Sequence, residues 1–94
     1  MSFHRALVDT ATLARFVADP LWRVFDCRHD LARPALGASQ YLLAHLPGAQ
    51  FLHLDTDLSA PKSGENGRHP LPDPRTFMSL LGRNGLKRGH QVVV

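Results

Sequence analysis

The sequence is poor in several things that would fix its class at once. It has a single cysteine, Cys27, so no internal disulfide framework can form, and a lone thiol suits a reducing cytoplasm. No apolar run approaches the roughly 18 residues of a membrane span. The opening residues, Met1-Ser2-Phe3-His4-Arg5, carry charge with no hydrophobic stretch behind it, which argues against a secretory leader. Internal repeats and low-complexity tracts are absent. So is a strong excess of one charge: 11 Lys and Arg against 8 Asp and Glu leave a net +3. That balance favours anions in general and does not single out nucleic acid. A chain of 94 residues makes at most one small domain, which buries only roughly 60–65% of its unfolded surface.

What is present is an alternation of helical and extended signals. Asp9 or Thr10 can cap a helix whose Leu13, Phe16 and Val17 recur at helical spacing over Thr12 to Ala18, with Asp19-Pro20 as its stop. Trp22 to Cys27 reads as a strand, and its lack of clean alternation suits a parallel strand covered on both faces. Arg28 to Ser39 is a polar connection, and Ser39 is placed to cap the helix that carries Tyr41. Pro47 cannot continue that helix, Gly48 allows a reversal, and Ala49 to Leu54 is a short apolar run compatible with a buried strand. Ser59 to Gly67 is the longest loop. Asp73-Pro74 starts a third helix with an apolar stripe of Phe77, Leu80 and Leu81, and Gly85 is a left-handed stop with Leu86 folding back. Gln91 to Val94 begins a β-branched strand with no turn signal after it. Helix-to-strand steps of this kind are halves of αβ crossover units and predict a parallel sheet.

The stretch Tyr41 with His45-Leu46-Pro47-Gly48-Ala49 resembles the rhodanese-domain signature, in which a helix ends in Gly-His-Ile-Pro-Gly-Ala before a strand. Phe25-Asp26-Cys27-Arg28, Leu54-Asp55-Thr56-Asp57-Leu58-Ser59 and Gly67-Arg68-His69-Pro70-Leu71-Pro72 fall in the family's order. The set, from Val8 to Val94, is similar to the N-terminal domain of tandem-domain sulfurtransferases acting on thiosulfate or 3-mercaptopyruvate; Ala44 replaces the usual Gly before the His. The resemblance implies a rhodanese-like α/β domain over residues 1–94, a parallel sheet flanked by helices and incomplete at its C-terminal end. It implies that the persulfide-forming cysteine lies in a loop beyond Val94, in a second rhodanese domain, so the 94 residues alone are expected to be inactive. The partners implied are a small anionic sulfur donor and a thiol or cyanide acceptor, with no cofactor. Partial coverage of the sheet leads us to expect that the piece leans on a second copy of itself. An alternative is a rhodanese-like binding or regulatory module with no transferase activity of its own.

In mercaptopyruvate-type members an Asp and a His of this domain serve a relay with a Ser of the second domain. Carried over by motif, they are Asp57 and His69, with Arg68 at the same rim as a substrate-binding candidate. A carboxylate fixes an imidazole tautomer, and an imidazole moves protons near neutral pH. The plainer reading makes Asp57 a turn cap and His69 a ligand of loop backbone. Asp26 and Arg28 match a structural Asp-x-Arg at a strand end, and His45 suits a helix C-terminus.

Cys27 to Arg33 matches Cys-x5-Arg, the phosphatase spacing, but the loop lacks glycine and carries Asp30 where an anion would sit. A packed strand thiol is the ordinary reading. The six histidines offer only pairs, Cys27 with His29 and His45 with His53, short of the roughly four ligands of a zinc site. Arg83, Lys87, Arg88 and His90 cluster at the end of the third helix, where a solvated face complements the dipole. Nucleic-acid binding would want interleaved aromatics or a reading helix.

Overall fold

The structure is a computed structural model and describes residues 4–94. Three short parallel strands form one sheet in the order β2-β1-β3. The central strand β1 (Trp22–Asp26) pairs along its first half with β3 (Gln91–Val93) and at its end with β2 (Gln50–Phe51). Helix α1 (Thr10–Phe16) precedes β1, and α2 (Leu36–Leu43) and α3 (Pro74–Arg83) occupy the two crossovers. This is the expected α/β arrangement. Among the described residues no helix is long and apolar enough to cross a membrane.

The core follows from β1. Trp22, Val24 and Phe25 are buried, and with Ala49 and Val93 they bring all three strand segments together; Leu52 is buried beyond β2. Val8, Leu13 and Phe16 pack on that cluster, and the Phe16 ring stacks on Trp22 with centroids 4.9 Å apart. No residue of α1 or α3 is fully buried, so the buried face expected over Thr12 to Ala18 is a half-buried one. The Cα radius of gyration is 14.6 Å, against roughly 12.4 Å for a compact domain of this length. The polar loops therefore stand away from the sheet.

Local chemistry explains the helix limits. Asp9 accepts a hydrogen bond from the Thr12 amide at 2.7 Å and caps α1. The helix ends at Phe16, ahead of Pro20, because Asp19 organises the next turn: its carboxylate takes the Leu21 amide and its carbonyl takes the Trp22 amide. Asp73 caps α3 through the Thr76 amide and hydroxyl, Pro74 is the first helical residue, and Gly85 stops the helix at φ 84° while the Leu86 amide returns to the Leu81 carbonyl. Both of those readings hold.

Ser39 is not a cap. α2 starts at Leu36 with Ala35 before it, and the Ser39 hydroxyl donates back to the Ala35 carbonyl from inside the helix. The start is set by packing: a Cβ at Gly37 would lie 2.1 Å from the Arg28 carbonyl oxygen, so only glycine lets α2 touch the segment leaving β1. The strand expected over Ala49 to Leu54 pairs at Gln50–Phe51 alone, with one more bond from the Leu52 amide to the Asp26 carbonyl. His53 then enters a turn, and turn chemistry overrides the apolar run. The reversal at Pro47-Gly48 stands, with Gly48 at φ 79° and the Ala49 amide bonded to the Leu46 carbonyl. Tyr41 locks it by donating its hydroxyl proton to the Ala49 carbonyl.

Candidate functional site

Two clefts adjoin the segment that leaves β1. The larger, about 620 Å³, is lined mainly by apolar groups, including Leu13, Val24, Phe25, Leu46 and Val93, and Cys27 lies in its wall. Burial pushes the Cys27 thiol above its ordinary value, and the neighbouring Asp26 charge pushes it further the same way. A nucleophilic thiolate needs the opposite environment. This is the packed strand thiol expected, and the phosphatase spacing has no chemistry to go with it: among the described residues the one hydrogen-bonding contact of Sγ is the Phe25 carbonyl at 4.0 Å.

Asp26 and Arg28 form the structural clasp expected of them. The Asp26 carboxylate takes the Arg28 amide at 3.1 Å and pairs with its guanidinium at 2.9 Å, while Arg28 reaches the Ala44 carbonyl at the end of α2. Burial raises the Asp26 carboxyl, but the hydrogen bonds and charge of Arg28 outweigh it and hold the group below its ordinary value. His45 closes the same helix end, its Nδ1 2.6 Å from the Tyr41 carbonyl and its ring stacked on Tyr41.

The second cleft, about 470 Å³, is the more polar of the two. His29, Asp55, Lys62, Arg68 and His69 line it, with Leu31, Pro34 and Leu54. Its centre is a side-chain contact between His69 Nε2 and Asp55 Oδ1 at 3.1 Å. The pairing anticipated between Asp57 and His69 is not formed. Asp57 faces back into its own turn, where its carboxylate accepts the His53 amide at 2.8 Å and its amide bonds the His53 carbonyl. Asp57 thus makes the turn-capping contact of the plainer reading, and His69 pairs with a carboxylate, not with loop backbone. Arg68 is exposed and lines the cleft as expected.

Asp55 and Lys62 were not legible as site residues. The signal for Asp55 was the i,i+4 spacing of His53 and Asp57, which closes a turn and consumes the second carboxylate. Lys62 comes from the long polar loop, drawn in where the Ala60 amide bonds the Pro70 carbonyl. The imidazole-carboxylate pair can hold one tautomer and pass a proton, and Lys62 and Arg68 give the mouth a positive field. Among the described residues no group of three or more His, Cys, Asp or Glu is placed to hold a metal ion.

No protein-family model and no solved structure matches the chain. It is 44% identical over 89 residues to a Pseudomonas aeruginosa protein named as a 3-mercaptopyruvate sulfurtransferase, covering 94% of this chain and 31% of that protein. It is 36% identical over 92 residues to a Mycobacterium tuberculosis protein named as thiosulfate sulfurtransferase SseB, covering 96% of this chain and 32% of that one. The chain spans about a third of the length of the curated relatives it matches.

Proposed function

From a chain that is kin to the sulfurtransferases over nearly all of its length, we propose that it forms one wall of a sulfurtransferase active site whose reactive cysteine lies outside these 94 residues. The domain is the rhodanese-like N-terminal half of a two-domain enzyme, and the wall it contributes is the polar cleft. The single observation that supports this most is the His69–Asp55 contact in a cleft shared with two cations, Lys62 and Arg68.

The chemistry is as follows. A cysteine thiolate of the second domain attacks the sulfur of 3-mercaptopyruvate, the carbon–sulfur bond breaks, and the electron pair leaves on pyruvate as its enolate. The transferred sulfur carries its proton into the persulfide, and the enolate needs one at carbon. His69 serves that transfer: donation of its Nε2 proton to Asp55 leaves Nδ1 as the lone-pair nitrogen that takes the proton and returns it. With thiosulfate, the thiolate takes the outer sulfur and sulfite leaves with the electron pair, so no proton need move. A thiol or cyanide then attacks the outer persulfide sulfur and regenerates the thiolate. Arg68 and Lys62 draw the anionic donor to the rim.

In the intact enzyme, His69→Ala is expected to lower kcat with 3-mercaptopyruvate by about 100-fold and to affect thiosulfate far less. Unchanged turnover with 3-mercaptopyruvate would remove the relay. The alternative is a rhodanese-like binding module without transferase activity, and the raised thiol of Cys27 is common to both readings. Cyanide-dependent thiocyanate formation by the intact protein separates the two.

A further inference from the structure

His29 has no part in the chemistry above, yet it lines the polar cleft with only 8% of its side chain exposed. Its Nδ1 is shut off from solvent and has no hydrogen-bond partner among the described residues. Its Nε2 lies 4.0 Å from Asp55 Oδ2, the oxygen that His69 does not take. That distance is too long for a hydrogen bond and short enough for a charge–dipole contact. The proton belongs on Nε2. Placed there it points at a carboxylate, whereas on Nδ1 it would be a buried donor without an acceptor, and the Nε2 lone pair would face a negative charge.

A second histidine fixes the same aspartate through its backbone. His53 Nδ1 accepts the Asp55 amide at 3.0 Å, and its Nε2 is 3.0 Å from the Pro34 carbonyl. An imidazole that accepts at one nitrogen and faces a carbonyl at the other holds a single tautomer. The His29 ring stands edge-on to His53 with centroids 5.3 Å apart. His29 follows the end of β1 by three residues and His53 that of β2 by two, so both are anchored to the sheet. His69 lies in the exposed loop region. Orientation thus runs from the sheet, through Asp55, to the loop.

We propose that His29 is a positioning residue: its Nε2–H holds the free oxygen of Asp55 so that the other oxygen stays aimed at His69 Nε2. The proposal rests on the relay reading for its catalytic consequence and on geometry alone for the rest. Nitrogen-15 NMR of the imidazole rings in the intact protein tests it directly. In the wild type, His29 is expected to carry its proton on Nε2, and His69 to show one tautomer protonated at Nε2. His29→Phe keeps a ring against His53 and removes the donor; His69 should then exchange between tautomers, and His29→Gln should restore the single form. A His29 proton on Nδ1, which needs no variant to observe, overturns the proposal. So does an unaltered His69 in a His29→Phe chain whose amide spectrum remains folded. In the intact sulfurtransferase His29→Phe should lower kcat with 3-mercaptopyruvate about tenfold at constant KM. Loss of the His69 tautomer with unchanged turnover would leave the positioning role standing and remove the relay.

Discussion

The two clefts beside β1, about 620 and 470 Å³, differ in what they offer. The apolar one contains the chain's only thiol, and burial together with the Asp26 charge pushes that thiol above its ordinary value, away from the nucleophilic thiolate. The polar one contains no nucleophilic sulfur but collects a carboxylate, two imidazoles and two cations. A residue type that can do chemistry is therefore not evidence of a site; its surroundings are. Cys27 has the right atom in an environment that suppresses it, whereas His69 has an ordinary side chain in surroundings that give it direction.

The comparison can be broken first on the apolar side, where stability resides. Trp22→Ala should cost about 3–5 kcal/mol, read as a large fall in the urea midpoint, because Trp22 joins the Phe16 stack to the strand cluster. Gly37→Ala comes next at about 3 kcal/mol. Its Cβ meets the Arg28 backbone, and shifting that segment disturbs both clefts together, so the Asp55–His69 contact should loosen as well. Asp26→Asn acts through pH. The folded carboxyl lies below its unfolded value of 3.8, so its contribution is complete above that value and is lost as pH falls through the folded value. The variant should therefore be less stable than the wild type at pH 7, with the gap closing below about pH 4, as compared by urea unfolding at several pH values. Smaller still, Cys27 should alkylate about tenfold more slowly in the native chain than in urea, since a raised thiol is a poor nucleophile. The polar side should show the reverse pattern. His69→Ala should stay within about 0.5 kcal/mol of wild-type stability while losing the turnover described above.

How much of this was written in the sequence differs between the scaffold and the site. Asp73-Pro74, Gly85 and Pro47-Gly48 act through their own backbone preferences, so helix α3, its stop and the reversal into β2 could be read from neighbouring residues alone. Ser39 misled because a hydroxyl inside a helix can bond back to a carbonyl as readily as it can cap, and what starts α2 is a long-range contact between Gly37 and Arg28. The polar cleft shows the same limit. His69 was legible from its motif, but its partner was decided by which carboxylate the His53 turn had already used. Asp55 and Asp57 sit two residues apart, and only the turn geometry distinguishes them. Lys62 reaches the cleft through a loop closure 10 residues wide, between Ala60 and Pro70, for which local pattern carries no signal.

One experiment bears on the whole account. Incubate the intact protein with 3-mercaptopyruvate or thiosulfate, block free thiols, digest, and locate the persulfide by mass spectrometry. The account places the extra sulfur on a cysteine outside residues 1–94, with Cys27 recovered as the plain blocked thiol. Sulfane sulfur found on Cys27, with turnover lost in Cys27→Ser, would contradict it.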